Sequence, residues 1–178
     1  MTVSSPPSVR TPRVVPPCQR GQRRDRPARP HGPDLRVARP ETLHQRAMLL
    51  WADALLGAER GLLSAEERAD TIAALLRLQN PDGGIALASL GPWERLDGSP
   101  QSLDSDGYGT AFVSYVLLTA GLPPSHPSLV HALAWLRTHQ RRSGRWFTRS
   151  ATREGTHYIS HTGTAFAVLA LTRACAPR

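Results

Sequence analysis

Apolar side chains recur at helical spacing from about residue 42 onward. Between Thr42 and Leu56 the side chains of Leu43, Ala47, Leu50, Trp51, Ala54 and Leu55 form one stripe, and Gly57 follows as a terminator. Ser64 opens a second helix, with Glu67 three positions on completing a capping box and Glu66 in the same first turn. That helix carries Ala69, Ile72, Ala73 and Leu76 on one face and Glu66, Asp70 and Arg77 elsewhere, so it is amphipathic, and it ends near Gln79-Asn80-Pro81. A loop then runs from Asn80 to Ser105, punctuated by Gly83, Gly84, Gly91, Pro92, Gly98 and Pro100. A connection of that length in a compact domain either carries function or hides an unrecognised element.

The third helix, Gly107 to Ala120, differs in kind. Tyr108, Ala111, Phe112, Val113, Tyr115, Val116, Leu117 and Leu118 leave it no polar face, which predicts burial on all sides. Gly121 and Pro123-Pro124 stop it. A fourth helix, Pro127 to Arg141, is amphipathic again, with Leu129, Leu133 and Leu136 opposite His131, Arg137 and Thr138. The fifth, His161 to Cys175, returns to the all-round apolar type through Phe166, Val168, Leu169, Ala170 and Leu171. This alternation predicts an all-α fold in which half-wet helices form an outer layer and dry helices an inner one, as in a barrel of helical hairpins.

The formal charge of +8 points to a polyanionic partner until it is divided along the chain. Residues 1–40 hold nine arginines against Asp25 and Asp34, a net of +7, whereas residues 41–178 hold thirteen arginines against twelve acids, a net of +1. The first segment also holds nine of the sixteen prolines and no run that could bury a face, so a disordered Arg/Pro-rich tail is expected there, ahead of one domain at 41–178. Arginine is used throughout and lysine nowhere, which reads as coding bias and argues against nucleic acid as a partner. Val14-Val15 is far short of the roughly seven apolar residues of a secretory core. No run approaches the roughly 18 of a membrane span. A cytoplasmic protein is therefore expected, with peripheral membrane contact left open. Cys18 and Cys175 are too few for a disulfide framework or a metal cluster.

The chain repeats itself. Gly109-Thr110-Ala111-Phe112 recurs 54 residues later as Gly163-Thr164-Ala165-Phe166, again opening a dry helix. Ala74-Leu75 followed by Gln79 and Gly83 matches Trp135-Leu136 followed by Gln140 and Gly144. The segment from Trp135 through Gln140 and Gly144 to Trp146 resembles the QW repeat of the squalene-hopene and oxidosqualene cyclases: aromatic, aliphatic, three residues, Gln, a short spacer, Gly, any residue, Trp. In the earlier copy Gln79 and Gly83 remain, while Ala74 and Ile85 replace the two aromatics. The resemblance covers residues 42–176 and implies a cyclase/prenyltransferase-like α/α toroid. In such a repeat the Gln caps helix-end backbone groups, the Gly permits the turn and the Trp stacks on the neighbouring repeat. A closed toroid needs more hairpins than five helices supply, so a partial one is expected.

Candidate chemistry follows from the same resemblance, each time beside a structural alternative. Hopene-type cyclases protonate an alkene with an Asp-x-Asp-Asp motif. Asp104-Ser105-Asp106 supplies its first three positions, making Asp104 and Asp106 the catalytic candidates, and Gly107 stands fourth. Carboxylates so close could split their pKa values; alternatively Ser105 or Asp106 caps the helix that follows. Prenyltransferase β subunits hold zinc with Asp-x-Cys and His-Thr. Here Asp106-Gly107-Tyr108 and His161-Thr162 occupy those places with Tyr108 for the Cys, so neither metal nor cofactor is expected. Tyr108, Phe112, Trp146, His161 and Phe166 either line a ligand pocket or pack as core. Arg141, Arg142, Arg145 and Arg149 form a basic patch that meets phosphate or sits solvated in a turn.

Chemistry on a polyprene needs an enclosed, water-free chamber. The expectation is therefore a cyclase/prenyltransferase-like repeat domain, truncated or non-catalytic, that binds a hydrophobic isoprenoid-like ligand or a partner. The alternative is an active isoprenoid cyclase or prenyl transferase completed by oligomerisation, by a larger cyclase-like partner or by a missing N-terminal part.

Overall fold

The structure is a computed structural model that describes residues 40–57, 61–154 and 158–176. The tail expected over residues 1–40 lies outside the described residues apart from Pro40. The described residues form helices α1 (Leu43–Leu56), α2 (Ala65–Leu76), α3 (Gly107–Thr119), α4 (Pro127–Thr138) and α5 (Tyr158–Cys175), with one 3₁₀ turn at Leu87–Leu90 inside the long loop and no strand. The chain is all-α. No helix among the described residues is long and apolar enough to cross a membrane.

Local chemistry sets the helix boundaries. Ser64 and Glu67 form the capping box read from the sequence, and Thr42 with Gln45 forms a second one at the start of α1. At α4, Pro127 takes the first position behind a His126 cap. This helix stops at Thr138 rather than Arg141, because the Arg141 N–H turns away to the Arg145 carbonyl at 2.9 Å. At the other end of that loop, α5 starts about one turn earlier than the periodicity implied.

Every residue of α3 except Tyr115 is buried, as a helix without a polar face requires. Helices α1, α4 and α5 and the 3₁₀ turn pack around it, and α2 packs on α1. The most extensive contact is with α5, whose buried stripe of Ser160, Gly163, Ala167 and Ala170 is small enough for close approach. A Cβ at Gly163 would stand 2.9 Å from the Tyr108 nitrogen. Yet α5 is not buried on all sides as expected. Its opposite face is exposed, with Val168 at 54% and Leu169 at 44%, because none of the described helices covers that side.

The sequence repeat is a repeat of hydrogen bonds. Gln79 Nε2 donates to the Gly83 carbonyl at 2.9 Å, and Gln140 Nε2 to the Gly144 carbonyl at 3.0 Å. In both turns the glycine takes a positive φ, +88° and +78°, open to residues without a Cβ. The Ile85 N–H then donates to Thr110 Oγ1 at 2.9 Å, and the Trp146 N–H to Thr164 Oγ1 at 3.2 Å, so each Gly-Thr-Ala-Phe threonine receives the end of its own repeat's turn. One step on, the Leu87 N–H meets Asp106 and the Thr148 N–H meets Ser160. The buried Trp146 donates its indole N–H to the Leu136 carbonyl at 2.7 Å, and its Cβ lies against Gly107, tying α4 to α3.

The two glutamines differ in one respect that sets a measurable order. Gln79 is half-buried and also donates to the Ser128 carbonyl at 2.8 Å, whereas Gln140 is exposed. Gln79→Ala is expected to lower stability by about 1–2 kcal/mol and Gln140→Ala by no more than about 0.5 kcal/mol. Urea unfolding of both variants checks this; equal losses would mean that the second bond contributes nothing.

Candidate functional site

The start of α3 lies inside the protein, so its free N–H groups need partners other than water. Each has one. The Gly107 N–H donates to the Phe147 carbonyl at 2.9 Å, the Tyr108 N–H to Thr148 Oγ1 at 2.7 Å, and the Gly109 N–H to Asp106 Oδ1 at 2.9 Å. Asp106 Oδ1 also accepts from the Thr148 hydroxyl at 3.0 Å, and Oδ2 accepts from the Leu87 N–H at 2.5 Å. Burial pushes the Asp106 carboxyl above its ordinary value, although the donated bonds pull the other way. Asp106 is thus the cap of α3 and the knot that joins both repeat turns to it. Asp104 is exposed and bonded to the Ser102 hydroxyl at 2.9 Å. Both acids border a small cavity of about 300 Å³ with Arg149, but no hydrogen bond links them.

A larger cavity, about 530 Å³, opens where α1, α3 and α5 begin. His44 comes from the first turn of α1, Tyr108 from that of α3, and Tyr158, Ile159 and Thr162 from the start of α5; Leu87 and Trp93 come from the long loop. His44 Nε2 and the Tyr108 hydroxyl share a hydrogen bond of 2.7 Å. The imidazole stacks on Phe112, with ring centroids 4.8 Å apart, and meets Trp93 edge-on at 5.7 Å. Burial holds the His44 pKa below 6.5, so the ring is neutral at physiological pH. The Tyr108 hydroxyl is pushed up to about 12 by burial and by the neighbouring Asp106 charge, so it keeps its proton. A neutral imidazole and a protonated phenol can orient a hydroxyl or carbonyl group, and together they offer one donor and one acceptor.

The remaining wall, residues 150–153, is fastened from the long loop. The buried Arg95 guanidinium donates to the Ser150 carbonyl at 2.5 Å and to Glu154 at 3.0 Å, while pairing with Asp97 at 2.6 Å. That pairing holds Asp97 well below the usual carboxylate range. Gln101 Nε2 donates to the Ala151 carbonyl at 2.7 Å, and the Leu96 N–H to the Thr152 carbonyl at 2.7 Å. The length of the loop between Asn80 and Ser105 therefore has a purpose: it holds the second repeat's loop in place.

Of the five pocket residues read from the sequence, the structure brings only Tyr108 to this cavity. Phe112 is wholly buried behind it, and Phe166 stands edge-on to Phe112 at 5.2 Å, so both are core that supports the wall. Trp146 is buried in the α3–α4 junction and borders a separate cavity of about 240 Å³ with Arg141, Arg145 and Phe147. His161 is exposed and lies outside the residues lining the cavity, since it falls on the α5 face turned away from α3. The four-arginine patch also divides. Arg149 bonds Glu154 at 2.5 Å, and Arg141 lies 4.4 Å over the Phe147 ring. Among the described residues no group of three or more His, Cys, Asp or Glu side chains is placed to hold a metal ion. Sequence reasoning missed His44, Trp93 and Arg95. Only the length of the loop that carries Trp93 and Arg95 signalled them.

His44 gives the site a pH signature. Between pH 6.5 and its lower folded-state value, the unfolded chain takes up a proton that the buried ring refuses, so stability is expected to fall as pH drops through that window. His44→Phe should remove this dependence, which urea midpoints across the acid range would show; an unchanged slope would mean that the ring takes up its proton as readily in the folded as in the unfolded chain. No protein-family model, curated protein or solved structure matches the chain.

Proposed function

We propose that this chain is a squalene-cyclase/prenyltransferase-like repeat domain that binds a hydrophobic, isoprenoid-like ligand without converting it. The observation that carries the reading is the cavity at the starts of α1, α3 and α5, walled by the rings of Trp93, Tyr108 and Tyr158 and by Leu87 and Ile159. Small-molecule sites occupy roughly 300–1,000 Å³, are mainly apolar and orient their ligands with a few polar groups. At about 530 Å³, with the His44–Tyr108 pair on its wall, this cavity has those properties. The family half of the proposal is supported by the matched hydrogen bonds of the two Gln-Gly turns.

The non-catalytic half is supported by the state of the two acids. Alkene protonation calls for a strong carboxylic acid in a dry chamber. Both oxygens of Asp106 are engaged in capping, and Asp104 faces solvent. An active cyclase or transferase would need its acid or nucleophile from outside the described residues. Residence in a reducing compartment such as the cytoplasm belongs to the same proposal, since Cys175 is an exposed free thiol.

Calorimetric titration with farnesol tests the reading. Saturable binding is expected, weakened about tenfold in Trp93→Ala, equivalent to about 1.4 kcal/mol. Absence of saturable binding, or binding indifferent to Trp93→Ala, would refute it.

A further inference from the structure

The two Gln-Gly turns share a backbone and differ in charge. In the first, the Asn80 N–H donates to the Gly84 carbonyl and the Gly83 N–H to the Asn80 carbonyl, both at 2.9 Å. In the second, 61 residues on, the Arg141 N–H donates to the Arg145 carbonyl at 2.9 Å and the Gly144 N–H to the Arg141 carbonyl at 2.8 Å. Arg141, Ser143 and Arg145 therefore stand where the first turn has Asn80, Asp82 and Gly84. Ser160 likewise stands where the dry-helix repeat, 54 residues earlier, has Asp106. Across these matched positions serines take the place of acids, and arginines the place of uncharged residues.

The first turn shows what its acid does. Asp82 Oδ1 accepts from the Gly84 N–H at 2.9 Å and from the Ser105 hydroxyl at 2.7 Å, and Oδ2 accepts from the Trp135 indole at 3.0 Å. Trp135 and Ser105 also fill the space beside Gly84, since a Cβ there would meet both. At the second turn the matching residues line the cavity of about 240 Å³: Arg141, Ser143, Arg145, Trp146, Phe147 and Ser160, with no acid among them. The Arg145 N–H, in the place of the Gly84 N–H, has no acceptor among the described residues, and the Ser143 hydroxyl and the Arg145 guanidinium have no partner among them either. Arg141 is held over the Phe147 ring, a contact that gives its N–H groups no acceptor. Ser160 serves as wall, because its hydroxyl is bonded to the Thr148 backbone.

We infer that this cavity binds a phosphate group. The first turn supplies its own carboxylate to its N–H and hydroxyl donors; the second presents the donors and takes its anion from outside. Asp82, with one charge, is met by neutral donors, whereas two guanidiniums match a dianion, and their forked N–H groups suit the oxygens of phosphate. A partner helix, about 10–12 Å across with its side chains, does not fit inside the cavity. A nucleic-acid strand would need a ring on which to stack, and Phe147 is already covered by Arg141. The inference stands apart from the isoprenoid reading, which concerns the cavity at the starts of α1, α3 and α5.

Free phosphate and a lipid headgroup offer the same chemistry, so two probes are needed. The full chain is titrated calorimetrically with inorganic phosphate, and sedimented with phosphatidylcholine vesicles with and without phosphatidic acid. Saturable binding of inorganic phosphate assigns a free anion; binding only to vesicles that contain phosphatidic acid assigns a headgroup. In either case Arg145→Gln should weaken binding at least about tenfold, and Arg142→Gln, outside the cavity, by no more than about twofold. Ser143→Asp, which restores the acid of the first turn, should abolish it. All three side chains are exposed, so circular dichroism and urea midpoints should stay those of the parent. Binding of neither probe overturns the inference, as does binding that Arg145→Gln or Ser143→Asp leaves intact, or that Arg142→Gln weakens as much as Arg145→Gln. Binding of a single-stranded oligonucleotide but of neither phosphate probe overturns it in favour of nucleic acid.

Discussion

A helix without a polar face must be surrounded, and α3 is that helix. Its burial brings its N-terminus inside, where each unpaired N–H would cost about 1–3 kcal/mol. The partners that meet those groups come from two distant loops: Ile85–Leu87, tied through Asp106, and Phe147–Thr148. Both loops are thereby fixed against one point. The Gln-Gly turns that precede them, and the threonines that receive them, are the means by which the chain reaches it.

The cavity is a consequence of that arrangement. The early residues of α1, α3 and α5 meet on one side of the α3 start, so His44, Tyr108 and Thr162 share a wall without being near in sequence. The low polarity around His44 that keeps it neutral comes from the same packing, since Phe112 and Trp93 cover its ring. Arg95 then matters although it lies outside this wall. Buried and bonded to acids and a carbonyl, it holds the far side of the cavity to the long loop.

The residues with the most chemical character by type turned out to have the most structural work. Asp106, read from the sequence either as half of a catalytic pair or as a helix cap, caps α3, because a buried start demands partners for its N–H groups. Trp146, read either as pocket wall or as core, holds α4 through its indole N–H and meets the start of α3 through its Cβ, while bordering a small cavity of its own. Asp53, unremarked in the sequence, is wholly buried; it accepts the Leu62 N–H at 2.7 Å and pairs with Arg68 to close the α1–α2 connection.

The sequence alone determined the helical class, the five segments, the terminators and the repeat. These are local properties: period, caps and glycines act within a turn or two, and no distant residue is needed to satisfy them. The site was legible only at Tyr108, because a cavity is made by side chains that folding brings together across 64 residues, as with His44 and Tyr108. Tertiary structure also decided which apolar face stays dry. Periodicity treats α3 and α5 alike, but burial depends on a neighbour, and α5 has one on a single side among the described residues.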